Sequence, residues 1–192
     1  MKRVLLATLL GALTLFVWGF LSWTVLHLHD STYQPVPNDA QVRDALDQSI
    51  TETGVYYYPP EPTSMRDDAS VNQWEQLHEA GPLFTIFIQK EGRPVMHPLT
   101  FVYALITYLL VCFLISFIIR QVVDQLSKYL QRVLVIAGFG IAAAIASYIN
   151  IGVWLYVPWG YAIMMGIDLV VSWLLAGLVI SAIVRPEHRY KV

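Results

Sequence analysis

The chain has few charged residues and almost no cysteine. Of its 192 residues only 14% are charged, whereas 56% are hydrophobic. An ordinary soluble domain carries more charge than this, so the composition indicates an integral membrane protein. Cys112 is the only cysteine, which excludes an intramolecular disulfide and a cysteine-based metal cluster and gives no indication of the redox compartment.

The sequence also lacks the short motifs that mark common activities. It contains no HExxH, P-loop, dinucleotide-binding or G-x-S-x-G pattern. It has no long basic block, and its formal net charge of −2 does not suggest a nucleic-acid partner. We therefore expect a non-enzymatic protein without a cofactor, which contacts lipid and does not bind nucleic acid.

What the chain has instead is long apolar runs. Residues 4–26 are uncharged, follow Lys2 and Arg3, and are long enough to cross about 30 Å of hydrocarbon. The run is longer than the apolar region of a signal peptide and no A-x-A-like site follows it, so we expect an uncleaved signal anchor, with cleavage as the alternative. The complete set of predicted membrane helices is 1–26, 98–119, 133–151 and 159–184.

Lysine and arginine residues predict the orientation of these spans. Four of them lie in residues 27–97, and the other eight, including Arg189 and Lys191, lie at the termini or in 120–132. The positive-inside rule then makes both termini, the loop 120–132 and the tail 185–192 cytoplasmic, and 27–97 an extracytoplasmic domain. The loop 120–132 also reads as a short amphipathic helix at the membrane surface.

The extracytoplasmic segment has the pattern of a small α-β-α-β unit. We predict a helix over 39–51 capped by Asn38, a strand over 54–58, a helix from a Ser70 cap to Gly81, and a strand over 83–90. The segment between the strands is long enough for a crossover, which favours parallel pairing, with an antiparallel pair as the alternative. The predicted fold is mainly α: a four-transmembrane-helix bundle with this unit inserted between helices 1 and 2.

Three consecutive tyrosines form most of the first predicted strand. Side chains alternate across a strand, so Tyr56 and Tyr58 lie on one face and Tyr57 on the other. Both faces of both strands are apolar or amphipathic, and two short helices can bury only one of them. We expect the other to meet the membrane surface, the helices or a partner, and we take Tyr56, Tyr57 and Tyr58 as a candidate interaction surface.

Asp168 is the ionisable residue that lies well inside a predicted span. It follows Trp159 by nine positions, or roughly 13 Å along a helix, where an unpaired charge costs at least about 2.5 kcal/mol. Its role is open between a fastener of helices, a proton or ion relay, and a ligand-binding group. Similar depth or helical spacing gives it these neighbours in a predicted intramembrane polar cluster: Trp18, Tyr103, Thr107, Tyr108 and Ser172.

A second candidate group contains histidines near the predicted outer surface. His27, His29 and Asp30 follow the first span, and His97 precedes the second, so the four could converge there. Three or four such ligands can hold a metal, but H-x-H-D matches no specific metal motif. A metal site, and with it a membrane-embedded enzyme, is the weakest of the functional hypotheses.

Several short stretches carry a resemblance to a known group of proteins. The first span with its following residues reads FVWGFLSWTVLHLH, the external segment contains TGVYYYPP and EAGPLF, and the last span contains GIDLVVSWLLAGLVI. In these the chain resembles a group of bacterial four-span inner-membrane proteins of unknown function. The resemblance implies a bacterial cytoplasmic-membrane setting and no mechanism.

These observations lead to two main functional hypotheses. The first is a non-enzymatic accessory or scaffold protein whose external domain binds another membrane or envelope protein, or a second copy of this chain. The second is a small transporter or proton-linked channel that uses Asp168.

Overall fold

The computed structural model describes residues 1–186 and is mainly helical. The predicted tail residues Arg189 and Lys191 lie outside the described residues. The described α-helices and strands are α1 (Lys2–Phe20), α2 (Asp39–Ser49), β1 (Gly54–Tyr58), α3 (Asp68–Ala80), β2 (Phe84–Ile88), α4 (Pro98–Val122), α5 (Tyr129–Ala144), α6 (Asn150–Trp154) and α7 (Trp159–Ile183). Two π-helical segments, Leu21–Val25 and Ile145–Ile149, continue α1 and join α5 to α6.

Four helical segments are long and apolar enough to cross a membrane, as the sequence predicts, and they characterise a multi-pass membrane protein. They are Lys2–Val25, Pro98–Val122, Tyr129–Trp154 and Trp159–Ile183. The second and third extend past the predicted boundaries at Arg120 and Arg132. Arginine is a good helix former and its long side chain can reach away from the apolar region, so a charge does not end a helix.

The chain divides into two compact units, which we describe separately. The helical unit comprises Met1–Tyr33, Val95–Asn150 and, of the described chain, residues 158–186. The α/β unit comprises Gln34–Pro94 and Ile151–Val157. The last residues of the third span and the short segment that follows them therefore belong to the α/β unit.

In the helical unit, α1 packs against α4 and α7, and α5 packs against α7. Gly11 lies where three of these helices meet, since a Cβ atom there would be 3.0 Å from Ile180 and 3.2 Å from the sulfur of Cys112. Gly140 on α5 is closer still to its neighbour, because a Cβ would be 2.5 Å from the Cβ of Trp173. Small residues thus permit close helix approach.

The segment 120–132 is not the predicted amphipathic surface helix. Helix α4 continues to Val122, a short turn follows, and α5 begins at Tyr129. Arg132 is buried, and its guanidinium donates hydrogen bonds to the carbonyl oxygens of Leu126 at 2.7 Å, Ser127 at 2.9 Å and Ser181 at 3.1 Å. Carbonyls at turns and helix ends lack backbone partners, and this buried cation supplies the donors that they need.

The strands of the α/β unit pair in the direction opposite to the favoured prediction. Strand β1 has the predicted bounds, but it pairs with β2 in antiparallel fashion, with Gly54 opposite Ile88 and Tyr58 opposite Phe84. The parallel pairing is therefore wrong. The α3 connection starts and finishes at the same end of the sheet, so the chain never crosses back along the length of the strands.

Of the two predicted helix caps in this unit, that of α2 is at the predicted residue and that of α3 is not. Helix α3 starts at Asp68 because Asp67, and not Ser70, is the N-cap, and its carboxylate accepts a hydrogen bond from the amide of Ala69 at 3.3 Å. Asn38 does precede α2, but it has a left-handed backbone with φ of 51° and makes no side-chain capping bond. The predicted Ser70 cap is therefore wrong, and α3 begins two residues earlier than that cap, at Asp68.

Candidate functional site

Asp168 lies on α7 and contacts α1. Its Oδ1 atom accepts a hydrogen bond of 2.8 Å from the indole Nε1–H of Trp18. A carboxylate among apolar helices needs such donors, because water is not there to solvate it. The contact fastens α7 to α1.

His29 supplies the second contact to Asp168. Its Nε2 atom lies 3.6 Å from Oδ2 of the carboxylate, just beyond hydrogen-bond distance, and the histidine side chain is 2% exposed. The imidazole also stacks on the indole of Trp23, with 4.0 Å between ring centroids and 4° between ring planes. Asp168 thus lies against the indole of Trp18 and beside the buried imidazole of His29, which in turn stacks on Trp23.

The backbone after α1 explains how His29 reaches this position. The π-helical segment Leu21–Val25 is followed by a hydrogen bond from the amide of Leu28 back to the carbonyl of Ser22, and His27 has a left-handed backbone with φ of 50°. The chain therefore turns back on itself instead of leaving the helix in line. The 3₁₀ turn Asp30–Thr32 completes the reversal.

A cavity of about 710 Å³ lies beside Asp168 within the helical unit. Most of its lining is apolar, and its polar lining residues include Thr107, Tyr108, Tyr148 and Ser172. The hydroxyl of Ser172 donates to the carbonyl of Asp168 at 2.8 Å, so it serves its own helix and leaves the carboxylate to other donors. The cavity can hold an apolar molecule with one polar end.

The structure brings together most of the predicted intramembrane cluster. Trp18 contacts Asp168 directly, and the residues that share the cavity lining with the carboxylate are Thr107, Tyr108 and Ser172. Tyr103 does not belong with them, because it is 64% exposed and its carbonyl accepts the hydroxyl of Thr107. It lies on the outward face of α4.

The predicted histidine group does not converge. His27 pairs with Asp30 at 3.2 Å on the surface, His29 is buried beside Asp168, and the Nδ1 atom of His97 accepts the amide of Leu99 at the start of α4. Within residues 1–186 no three histidine, cysteine or carboxylate side chains are grouped to hold a metal ion. The expectation that these four residues share one site is therefore wrong.

Tyr33 packs the segment that turns back after α1 against α7. Its ring meets the ring of Tyr161 edge to face, with 5.6 Å between centroids. Burial, together with the neighbouring Tyr161 hydroxyl, raises the pKa of Tyr33 to about 12. An ordinary tyrosine is also neutral at physiological pH, so the role of Tyr33 here is to hold the segment by its contact with Tyr161.

In the α/β unit, one face of the sheet is apolar and uncovered. Val55, Tyr57 and Phe87 are 58%, 55% and 76% exposed, and Val55 lies directly opposite Phe87 in the strand register. We call these three residues the exposed sheet face. The other two tyrosines point away from it, since Tyr56 donates its hydroxyl to the carbonyl of Glu52 and Tyr58 stacks on Phe84. Only Tyr57 of the predicted tyrosine surface lies on the exposed sheet face.

The sequence argument missed two residues of the Asp168 region. Tyr148 carried no signal beyond its position in a span. His29 was noted as a candidate ligand, but its burial depends on the left-handed backbone of His27, a conformation that favours glycine or asparagine. The sequence therefore offered no reason to place His29 beside Asp168.

Comparisons with known proteins leave the family open. No protein-family model matches the chain, no curated protein matches its sequence and no solved structure matches its fold.

Proposed function

We propose that this multi-pass protein is a non-enzymatic accessory or scaffold component of a bacterial inner membrane, which binds another envelope protein through its α/β unit. The observation that carries the proposal is the exposed sheet face of Val55, Tyr57 and Phe87. A contiguous apolar surface in an otherwise polar unit costs free energy in water and favours a protein partner. Aromatic residues such as Tyr57 and Phe87 are enriched in protein interfaces.

The proposed orientation follows from the basic residues. With eight lysines and arginines at the termini and in the 120–132 segment, against four in residues 27–97, the N-terminus and C-terminus are cytoplasmic and the α/β unit is outside. The guanidinium of Arg3 donates to the carbonyl of Arg185 at 3.2 Å, which agrees with the two ends of the chain lying on one side. The pairwise packing of α1, α4, α5 and α7 supports a four-helix bundle.

Asp168 fits the role of a fastener in this proposal. Its carboxylate has a donor in Trp18 and a close imidazole in His29, both from the same chain. A polar group that finds its partners inside the protein stabilises the helix packing and does not require a ligand.

Proton-linked transport through Asp168 is the second candidate. It is favoured by one observation: a carboxylate and an imidazole, 3.6 Å apart, lie next to a cavity of about 710 Å³. Carboxylates and histidines within membrane helices form proton relays in pumps and transporters. In proteoliposomes with an internal pH dye, this candidate requires proton movement that Asp168→Asn abolishes. No proton movement in either protein favours the fastener.

Photo-crosslinking in the native host tests the main proposal. A benzophenone amino acid replaces Phe87 in the full-length protein, and the matched control places it at Gln48, an exposed position on α2. We expect one discrete protein adduct from position 87 and none from position 48. Adducts that are equal at both positions, or absent from both, contradict the proposal.

A further inference from the structure

The α/β unit contains a groove of about 600 Å³ that is rich in aromatic rings. Within the described chain, six tyrosine, tryptophan and phenylalanine rings line it, together with the imidazole of His78. The six are Tyr57, Tyr58, Trp74, Phe84, Trp154 and Tyr156. We call it the aromatic groove. Its volume falls in the range of about 300–1,000 Å³ that is usual for ligand sites, and all its lining residues belong to the α/β unit.

The rings of the aromatic groove form two packed sets. Tyr58 stacks on Phe84 with 5.6 Å between centroids. In the other set, His78 lies 5.6 Å from Trp74 and meets Tyr156 edge to face at 5.3 Å. Rings held by their neighbours offer a large contact area at little cost in side-chain entropy.

Tyr156, in the wall of the aromatic groove, has a strained backbone conformation. Its φ of 53° is in the left-handed region, which is unfavourable for a residue with a side chain. Asparagine or glycine adopts that conformation more readily. A tyrosine here is unfavourable for the local fold, and its ring packs on His78 in the wall of the groove.

Polar groups at the aromatic groove indicate what it can accept. Glu61 contributes a carboxylate to the lining, and residues 34–94 contain ten acidic and four basic side chains, a formal charge of −6. The indole Nε1–H of Trp74 is buried and has no acceptor among the described residues. The charge favours a basic ligand, and the indole needs a hydrogen-bond acceptor.

We propose that the aromatic groove binds an extended, proline-containing segment of the partner protein that also carries a lysine or arginine. Proline rings pack on aromatic faces, the polyproline helix is already formed before binding, and its free carbonyls are acceptors. The basic side chain pairs with Glu61 and contacts the ring faces. This inference rests on the proposed function, since it names the kind of segment through which the envelope partner binds.

A labelled proline-rich peptide that contains arginine tests the inference by fluorescence anisotropy. The full-length protein is held in nanodiscs of neutral lipid, so that the peptide does not bind to the bilayer. We expect saturable binding that weakens with added salt. A peptide with glutamate in place of arginine, and a glycine-serine peptide with the same arginines, should both bind more weakly.

Three variants locate the site. Tyr156→Asn removes a ring and relieves the left-handed strain, so binding should fall while the melting temperature stays the same or rises. Glu61→Gln should weaken binding about two- to fivefold, as expected for an exposed ion pair. Trp74→Phe removes the indole donor and should weaken it about two- to tenfold. The matched control Glu75→Gln, on the same helix as Trp74 but outside the groove lining, should bind like the parent protein.

The outcomes separate this inference from the proposed function. An adduct at position 87 without peptide binding overturns the inference and leaves the proposed function standing. Peptide binding that the three variants do not change also overturns it. The groove is a glycan site, and the inference is overturned, if the peptide does not bind but a neutral oligosaccharide such as chitotetraose does. That oligosaccharide binding should be lost in Trp74→Phe. Absence of both adduct and peptide binding removes the proposed function as well.

Discussion

The helical unit and the α/β unit differ in what they bury. The helical unit has a core of small and branched side chains, including Ala12, Ile136 and Ile180, and its half-buried Asp168 and buried Arg132 have partners within the chain. In the described α/β unit, the buried residues are Ile50, Pro59 and Gly152. A unit with so small a core has little stability of its own.

This difference separates two kinds of apolar surface. The apolar surface of the long helices is compatible with lipid as its solvent. The exposed sheet face, and the part of the aromatic groove that residues 57–85 form, have no such explanation, because they belong to the acidic and more polar part of the chain. The unit with the weaker core therefore carries the surfaces that suit recognition.

The largest effect should come from the close contact of α5 and α7. Gly140→Ala places a Cβ 2.5 Å from the Cβ of Trp173, so the helices must separate at a cost of about 2–3 kcal/mol. Gly138→Ala is the matched control, because nothing lies within 4 Å of its Cβ. Thermal unfolding in detergent should show a large loss for the first variant and none for the second. Equal losses would mean that the helices are not packed as described.

Replacing Asp168 should have the next largest effect. Asp168→Leu leaves the indole of Trp18 without its acceptor and should lower the free energy of unfolding by about 1–2 kcal/mol. Asp168→Asn keeps a carbonyl acceptor, so its loss should be smaller. Unfolding titrations in mixed micelles measure both. If asparagine is as damaging as leucine, the negative charge and not the hydrogen bond is what matters.

Substitution on the exposed sheet face should hardly change stability. Phe87→Ser removes an exposed side chain and should alter the free energy of unfolding by less than about 0.5 kcal/mol. The same variant should reduce co-purification of the crosslinked partner. A large loss of stability would show that Phe87 supports the fold, and the comparison between the two units would then fail.

The smallest effect concerns pH. A hydrogen bond from the Lys90 ammonium to the Asp47 carboxylate, and then the charge of Lys90, hold the pKa of Asp47 below its usual 3.8. A depressed carboxylate pKa stabilises the folded state above about pH 4, and that contribution disappears as pH falls through the folded pKa. Protection of the amides near the end of β2, measured relative to the intrinsic exchange rate at each pH, should therefore fall in acid. Asp47→Asn, which cannot titrate, should lack this response.

Sequence patterns correctly predicted the four membrane-length helices and the bounds of the first strand. Four apolar runs correspond to four helices, and the residues 54–58 form the predicted strand. These features depend on local composition and periodicity, which a sequence displays directly. The contact of Trp18 with Asp168 was also foreseeable, because matching depth on neighbouring helices limits the partners of a buried carboxylate.

The remaining features depend on where the chain turns. The antiparallel strand pairing follows from the path of the α3 connection, and the burial of His29 follows from the backbone of His27. Histidine is only one of several residue types enriched in the left-handed region and tyrosine is not among them, so neither His27 nor Tyr156 identifies its turn from the sequence. The helices extend past the predicted boundaries at Arg120 and Arg132 because a charged residue does not by itself end a helix.

Hydrogen exchange of the full-length protein in native membranes and in nanodiscs tests the central claim most directly. If the α/β unit binds an envelope partner, residues 54–58 and 84–88 should exchange more slowly in native membranes than in purified nanodiscs. The four long helices should exchange equally in both. Equal exchange of the two strands in both settings would contradict the account.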